Sequence, residues 1–397
     1  MRTSATASAM YLYGGEFSTD SLVNPFLLDF DSGTLNLTGD DLLVGSGGLV
    51  GSDLEVVSKQ TINVTNTTTV ETEGLLTVNG GAFSSGNLIN EGEVLLNSLS
   101  SKLGGNTLTN HGVVSGTGRI SSSLLNEVSA EVRAGVGQRL VFSGPTNSNA
   151  GKIEALGGEV EFKQDLNNLS STGLITGRDA TLRFTGGLTN EGTLALSFGT
   201  SDVFGPVGNT EEGKIIISGE SEATFYDDVV NNGELRVSAG STAVYFGLVS
   251  GTGSYTGTGT NYFEGGLSPG GSPIISHFEG NVTFGAGNFL TMELGGTTMG
   301  TEYDALHVDG ILTLNGELDV VLIDDFDPTL GDTFDILDWG TLSGQFTQVG
   351  LPSLLDALSW DLSAIYDTGE IRVVPEPATL GLLLIGGLAL LRRKQSG

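Results

Sequence analysis

The chain has 397 residues, 16 of them basic against 47 acidic, for a formal net charge of −31, and it contains no cysteine. A surface of that sign repels phosphate backbones and anionic lipid, which excludes nucleic acid as a partner, and without thiols neither disulfides nor thiolate metal sites can form. Glycine is abundant at 62 residues, yet proline is only 9 and no G-x-y triplet recurs, so collagen is excluded, while 38% hydrophobic residues suffice for a long core.

Residues 1–33 read as an N-terminal segment. Met1 is followed by no apolar signal core, but Ala7-Ser8-Ala9 has the small-x-small form that ends a signal peptide. The segment is therefore expected to be the remnant of a signal peptide called from too late a start, followed by a cap. Asp29-x-Asp31-x-Gly33 is a candidate calcium loop that stops short of an EF-hand pattern.

Residues 34–285 carry a repeat. Asparagine, a short spacer and glycine precede alternating apolar residues in LINEGEVLL (88–96), LTNHGVVSG (108–116), LTNEGTLAL (188–196) and VNNGELRV (230–237), with weaker copies between them. The glycines Gly92, Gly112, Gly151, Gly173, Gly192, Gly213 and Gly233 follow at 20, 39, 22, 19, 21 and 20 residues; the long gap holds a degenerate copy, LLNEVSAEV (124–132), with Ser129 in the glycine's place. A second series, Phe142, Phe162, Phe184, Phe204, Phe225 and Tyr245, keeps the same period near 20. Short alternating strands at that period mean a solenoid, and the leucine-rich signature is missing. The fold class expected is all-β, a right-handed parallel β-helix, with about eleven coils between 34 and 260 at one strand spacing each. The aromatic series is expected to stack inside. The asparagines are expected to hydrogen-bond from coil to coil at one corner, where glycine and asparagine make positive φ inexpensive.

From Gly247 the texture turns to glycine and serine. The stretch GLVSGTGSYTGTGTNYFEGGLSPGGSP resembles one common near the end of secreted bacterial β-helices, including autotransporter passengers. Strands then return over 286–374, expected to cap the solenoid as further coils or a small sandwich.

Catalytic constellations are sparse. His111, His277 and His307 are far apart and form no HxxxH or HExxH, so no metal site is assigned to them, and no GxSxG nucleophile occurs. Asp227-Asp228 and Asp40-Asp41 are carboxylate pairs, but neighbours on a strand point to opposite faces, which argues against a glycosidase pair. The companions of polygalacturonase-like enzymes are absent. No catalytic residue and no cofactor is assigned. Calcium, through Asp29 and Asp31 or the run Asp324, Asp325, Asp327 and Asp332, is the one alternative ligand. Thr65, Thr67, Thr68 and Thr69 invite an ice-binding reading, but later coils do not repeat them.

The chain ends in VVPEPATLGLLLIGGLALLRRKQSG. Val374, Pro375, Glu376 and Pro377 are followed by an uncharged apolar run over 378–391, expected to be a helix entering the inner membrane, and then by Arg392, Arg393 and Lys394. This order resembles the PEP-CTERM sorting signal of Gram-negative bacteria, a tail also labelled an ice-binding-protein C-terminal domain. The resemblance covers 375–397 with the valine before it, and implies export and processing by an exosortase near the Pro-Glu-Pro motif. The whole is expected to be a non-enzymatic surface protein, structural or adhesive, in a surface layer or exopolysaccharide matrix. The alternatives are a β-helix polysaccharide-active enzyme or carbohydrate-binding protein, and an ice-binding protein.

Overall fold

The computed structural model describes residues 10–21, 28–270, 273–355 and 357–376. Among these, every regular element is a β-strand and no helix occurs. The chain forms two compact units, Met1–Val229 and Val230–Gly397.

In the first unit the chain winds as a parallel β-solenoid. Parallel pairing begins early: Met10–Thr19, within the segment read as a leader remnant and cap, pairs with Leu28–Leu37, which runs from that segment into the repeat. A representative coil has three short strands, Leu166–Asn168, Leu174–Arg178 and Thr181–Phe184, each beside its counterpart in the coils before and after. Alternation turns every second side chain inward. Ile175, Leu182 and Phe184 are fully buried, and the equivalent Ile153, Val160 and Phe162 line the same columns one coil earlier. Each such side chain contributes about 1.5–3 kcal/mol by leaving water.

The asparagine series is the strongest regularity. Asn90, Asn110, Asn126, Asn149, Asn168, Asn190 and Asn209 are all buried. Each Nδ2 donates to the Oδ1 of the next, at 2.7, 2.8, 2.7, 2.7, 2.7 and 2.7 Å. The same Nδ2 also reaches the carbonyl that opens a strand one coil on, as Asn110 does to Glu131 at 3.1 Å. The degenerate copy therefore holds its place through Asn126. Its glycine position is taken by Ala130 rather than Ser129, because Glu131 pairs with both Val113 and Lys152; Ser129 instead turns the lengthened corner at φ 71°.

The glycines after each asparagine do not have positive φ. Their requirement is space: a Cβ on Gly112 would lie 2.1 Å from the carbonyl oxygen of Gly92, and one on Gly192 2.2 Å from that of Gly173. The repeat keeps glycine where stacked backbones touch.

The aromatic series is interrupted. Phe142 and Phe162 stack at 4.7 Å and Phe162 and Phe184 at 6.5 Å, all buried. Phe204 faces outward and is only half-buried, while Val203 takes the inner place. The reason is register: Leu182 pairs with Val203, an offset of 21, so a spacing of 20 falls one residue short and reverses the face. Phe225 is buried, but it pairs with Val203 and so continues the Leu140–Val160–Leu182 column.

The second unit has its own parallel coils. Early ones are short, with Thr242 opposite Thr260, and later ones longer, with His277 opposite His307 and Phe289 opposite Glu317. Their core is a mixed aromatic cluster: Tyr245 with Phe263 at 5.0 Å, Tyr255 with Phe278 at 4.1 Å, and Phe263 edge-on to Phe278 at 5.9 Å. Parallel pairing continues to Gln348–Gly350, and Glu370–Pro375 forms the centre of a separate three-stranded antiparallel sheet with Thr333–Asp335 and Leu358–Asp361.

Candidate functional site

The start of the sorting signal is built into that antiparallel sheet. Val374 pairs with Ser359 and Pro375 with Leu358, and the Glu376 amide donates to the Ala357 carbonyl at 2.8 Å. Pro375 is the last residue of the strand, and Glu376 beyond it is exposed. Pro377, Arg392, Arg393, Lys394 and the apolar run over 378–391 lie outside the described residues, as does the helix expected there. Among the described residues no helix is long and apolar enough to cross a membrane.

The carboxylate pairs are engaged in turns. Asp227 and Asp228 are both exposed and lie beyond the strand Glu222–Phe225, so strand alternation does not apply to them; Asp227 Oδ2 accepts the Gly205 amide at 2.7 Å. Asp41 accepts the Thr67 amide at 3.0 Å, and the Asp40 amide donates to the Asp20 carbonyl. Of the acidic residues considered for calcium, Asp29 and Asp31 are exposed on one strand face, while Asp332 accepts both the amide and the hydroxyl of Thr329, at 2.7 and 3.1 Å. The threonines do not share a face: Thr68 is buried against Ser85 at 2.9 Å, while Thr67 and Thr69 point the other way. His111 is an exposed turn residue.

Two charged stripes run outside. In the first unit Arg139 reaches Glu161 at 2.7 Å and Glu159 at 3.3 Å, Lys163 pairs with Glu161, and Arg183 meets Glu159 at 2.8 Å. Burial opposes ionisation of Glu161, but hydrogen bonds from Lys163 and Arg139 outweigh it and hold the carboxyl below its ordinary value. Arg183 also lies 3.9 Å over the Phe204 ring, whose other face stacks on Tyr226 at 4.3 Å.

The second stripe was not legible from sequence spacing. His277 on Ile275–Phe278, His307 on Ala305–Leu314 and Asp338 on Leu337–Gly344 are register partners on successive coils. Asp309 follows His307 by two and shares its outward face across buried Val308. His277 Nε2 lies 3.0 Å and His307 Nε2 3.1 Å from Asp309 Oδ1, and His307 Nδ1 lies 2.8 Å from Asp338 Oδ2. The two rings meet edge to face at 4.9 Å. Hydrogen bonding from His277 first, then His307, holds the Asp309 carboxyl below its ordinary value. The signal that could have found the cluster is the alignment of ISHF (275–278), ALHV (305–308) and ILDW (336–339), which sets the polar residue third in each. Behind these strands Asp304 is fully buried and accepts the amides of Ile274 at 2.8 Å and Glu293 at 2.9 Å, fixing the start of the His277 strand.

Compared with known proteins, residues 373–395 match the family model of the PEP-CTERM protein-sorting motif. The chain is thus a β-solenoid carrying an exosortase sorting signal, which implies export and sorting to the cell surface. No curated protein matches the chain.

Proposed function

We propose that the protein is a non-enzymatic structural or adhesive element of the cell surface or its exopolysaccharide, delivered there by its tail. The observation that carries this reading is the sorting motif at 373–395, which continues directly from a strand of the folded body. The coil is taken as right-handed, the hand that crossovers between parallel strands favour. The run 378–391 holds the chain in the inner membrane until exosortase cuts near the Pro-Glu-Pro motif. Because Val374 and Pro375 are paired in a sheet, the cut falls beyond them, on the Glu376 side. Expression in an exosortase-bearing Gram-negative host tests this. Mass spectrometry of the released protein should find a C-terminus near 376–378, and Pro375→Ala with Pro377→Ala should leave the chain in the inner-membrane fraction. An intact C-terminus ending at Gly397 on released protein would refute the processing.

A carbohydrate-binding role has one observation in its favour, the outward Arg183–Phe204–Tyr226 stack. Both faces of Phe204 are already covered, which weakens it as a sugar platform. A panel of neutral and acidic polysaccharides, assayed for binding and for new reducing ends, separates the two readings.

A further inference from the structure

We infer that His277, His307 and Asp309 form a binding site for a divalent transition-metal ion of the zinc class, with Asp338 orienting His307. The three ligand atoms lie within 4.8 Å of one another, and no other group of three or more such side chains gathers this way among the described residues. Tetrahedral zinc with nitrogen and oxygen ligands near 2.0–2.2 Å sets its ligand atoms about 3.3 Å apart. Two separations, 3.0 and 3.1 Å, are already close to that.

The donor set selects the metal. Two imidazoles and one carboxylate suit zinc, nickel, cobalt or copper, whereas calcium and magnesium take oxygen ligands. Asp338 supplies what such a site needs behind its ligands. Its Oδ2 lies 2.8 Å from His307 Nδ1, placed to accept a proton held there, and that tautomer presents Nε2 as the lone-pair nitrogen toward Asp309 once a metal replaces the proton on it. The site sits on strands whose inner neighbours Phe278, Leu306, Val308 and Leu337 are buried, so its ligands are carried on rigid backbone. The side chains remain 40–50% exposed, which leaves a fourth position open to water or to a group from another molecule. A metal here would join two neighbouring coils in a protein that has no disulfides.

The test uses the full chain without a histidine tag. Titration with zinc alone, followed by calorimetry, should show one saturable site, and cobalt should give the intense visible absorption of a tetrahedral centre. His277→Ala, His307→Ala or Asp309→Asn should each remove that site. Asp338→Asn should weaken it about 10–100-fold while keeping the stoichiometry. His111→Ala, on an exposed turn in the other unit, should bind as the parent does, and calcium should not compete. Circular dichroism confirms that each variant is folded. Absence of a one-to-one site in the parent, or its persistence in folded His277→Ala and His307→Ala, would overturn the assignment.

Discussion

The two units solve the same packing problem differently. Between Asn90 and Asn209 the first repeats one coil, with a buried amide ladder and inner columns of matching side chains. The second lengthens its later coils, fills its core with aromatics in several orientations and closes on an antiparallel sheet. Strict repetition makes positions equivalent, so their energetics are nearest-neighbour sums. Departure from it makes positions unique, and the His277–His307–Asp309–Asp338 cluster arises there. Regular coils repeat one set of contacts, and irregular ones bring together side chains that meet once.

The largest test of this contrast is the inner column of the first unit. Phe184→Ala should cost about 3–5 kcal/mol, as for other buried aromatics. Phe204→Ala, outward despite its matching interval, should cost no more than about 1 kcal/mol. Chemical denaturation of both decides whether register or spacing governs the core. Next is the ladder: Asn168→Ala removes both the acceptor of Asn149 and a donor to Asn190, and should cost about 2–3 kcal/mol. Its thermal unfolding would test whether the loss is local.

In the second unit, Asp304→Asn should cost about 1–3 kcal/mol, because an amide can accept only one of the two backbone amides that Asp304 now serves. Burial pushes the Asp304 carboxyl up to about 7. Its folded value lies above the unfolded one, so between pH 4 and 7 the native state holds more of the proton. Stability from this group therefore falls as pH rises through that window, and Asp304→Asn should flatten that part of the profile in denaturation measured from pH 4 to 8. The smallest effect is expected at the ladder's start. Asn90 Oδ1 is buried without a donor, and Val70 is its register partner in the preceding coil. Val70→Asn would satisfy Asn90 but present its own unpaired oxygen, so stability should change by less than about 1 kcal/mol.

The coil period, the hydrogen bonding of asparagines from coil to coil and the sorting tail were legible because each repeats or carries a specific motif. Phe204 misled because its interval of 20 does not match the local offset of 21, and alternation turns an error of one into the opposite face. The role of glycine was misjudged as torsional because sequence shows the residue but not the carbonyl stacked against it, as at Gly112. His277 and His307 seemed unrelated at their separation because the coil joining them is longer than the repeat seen earlier.

The asparagine ladder also has a direction. From Asn90 to Asn190 each member donates toward the next coil, and each one after Asn90 accepts from the coil before, while the turn that follows varies from Gly112, two residues on from Asn110, to Gly173, five on from Asn168. The bond from coil to coil at this corner therefore does not depend on the length of the turn that follows. An in-frame duplication or deletion of one whole coil rejoins donor to acceptor and leaves no amide stranded, whereas a partial one breaks the chain of bonds. The open acceptor at Asn90 marks where the ladder begins.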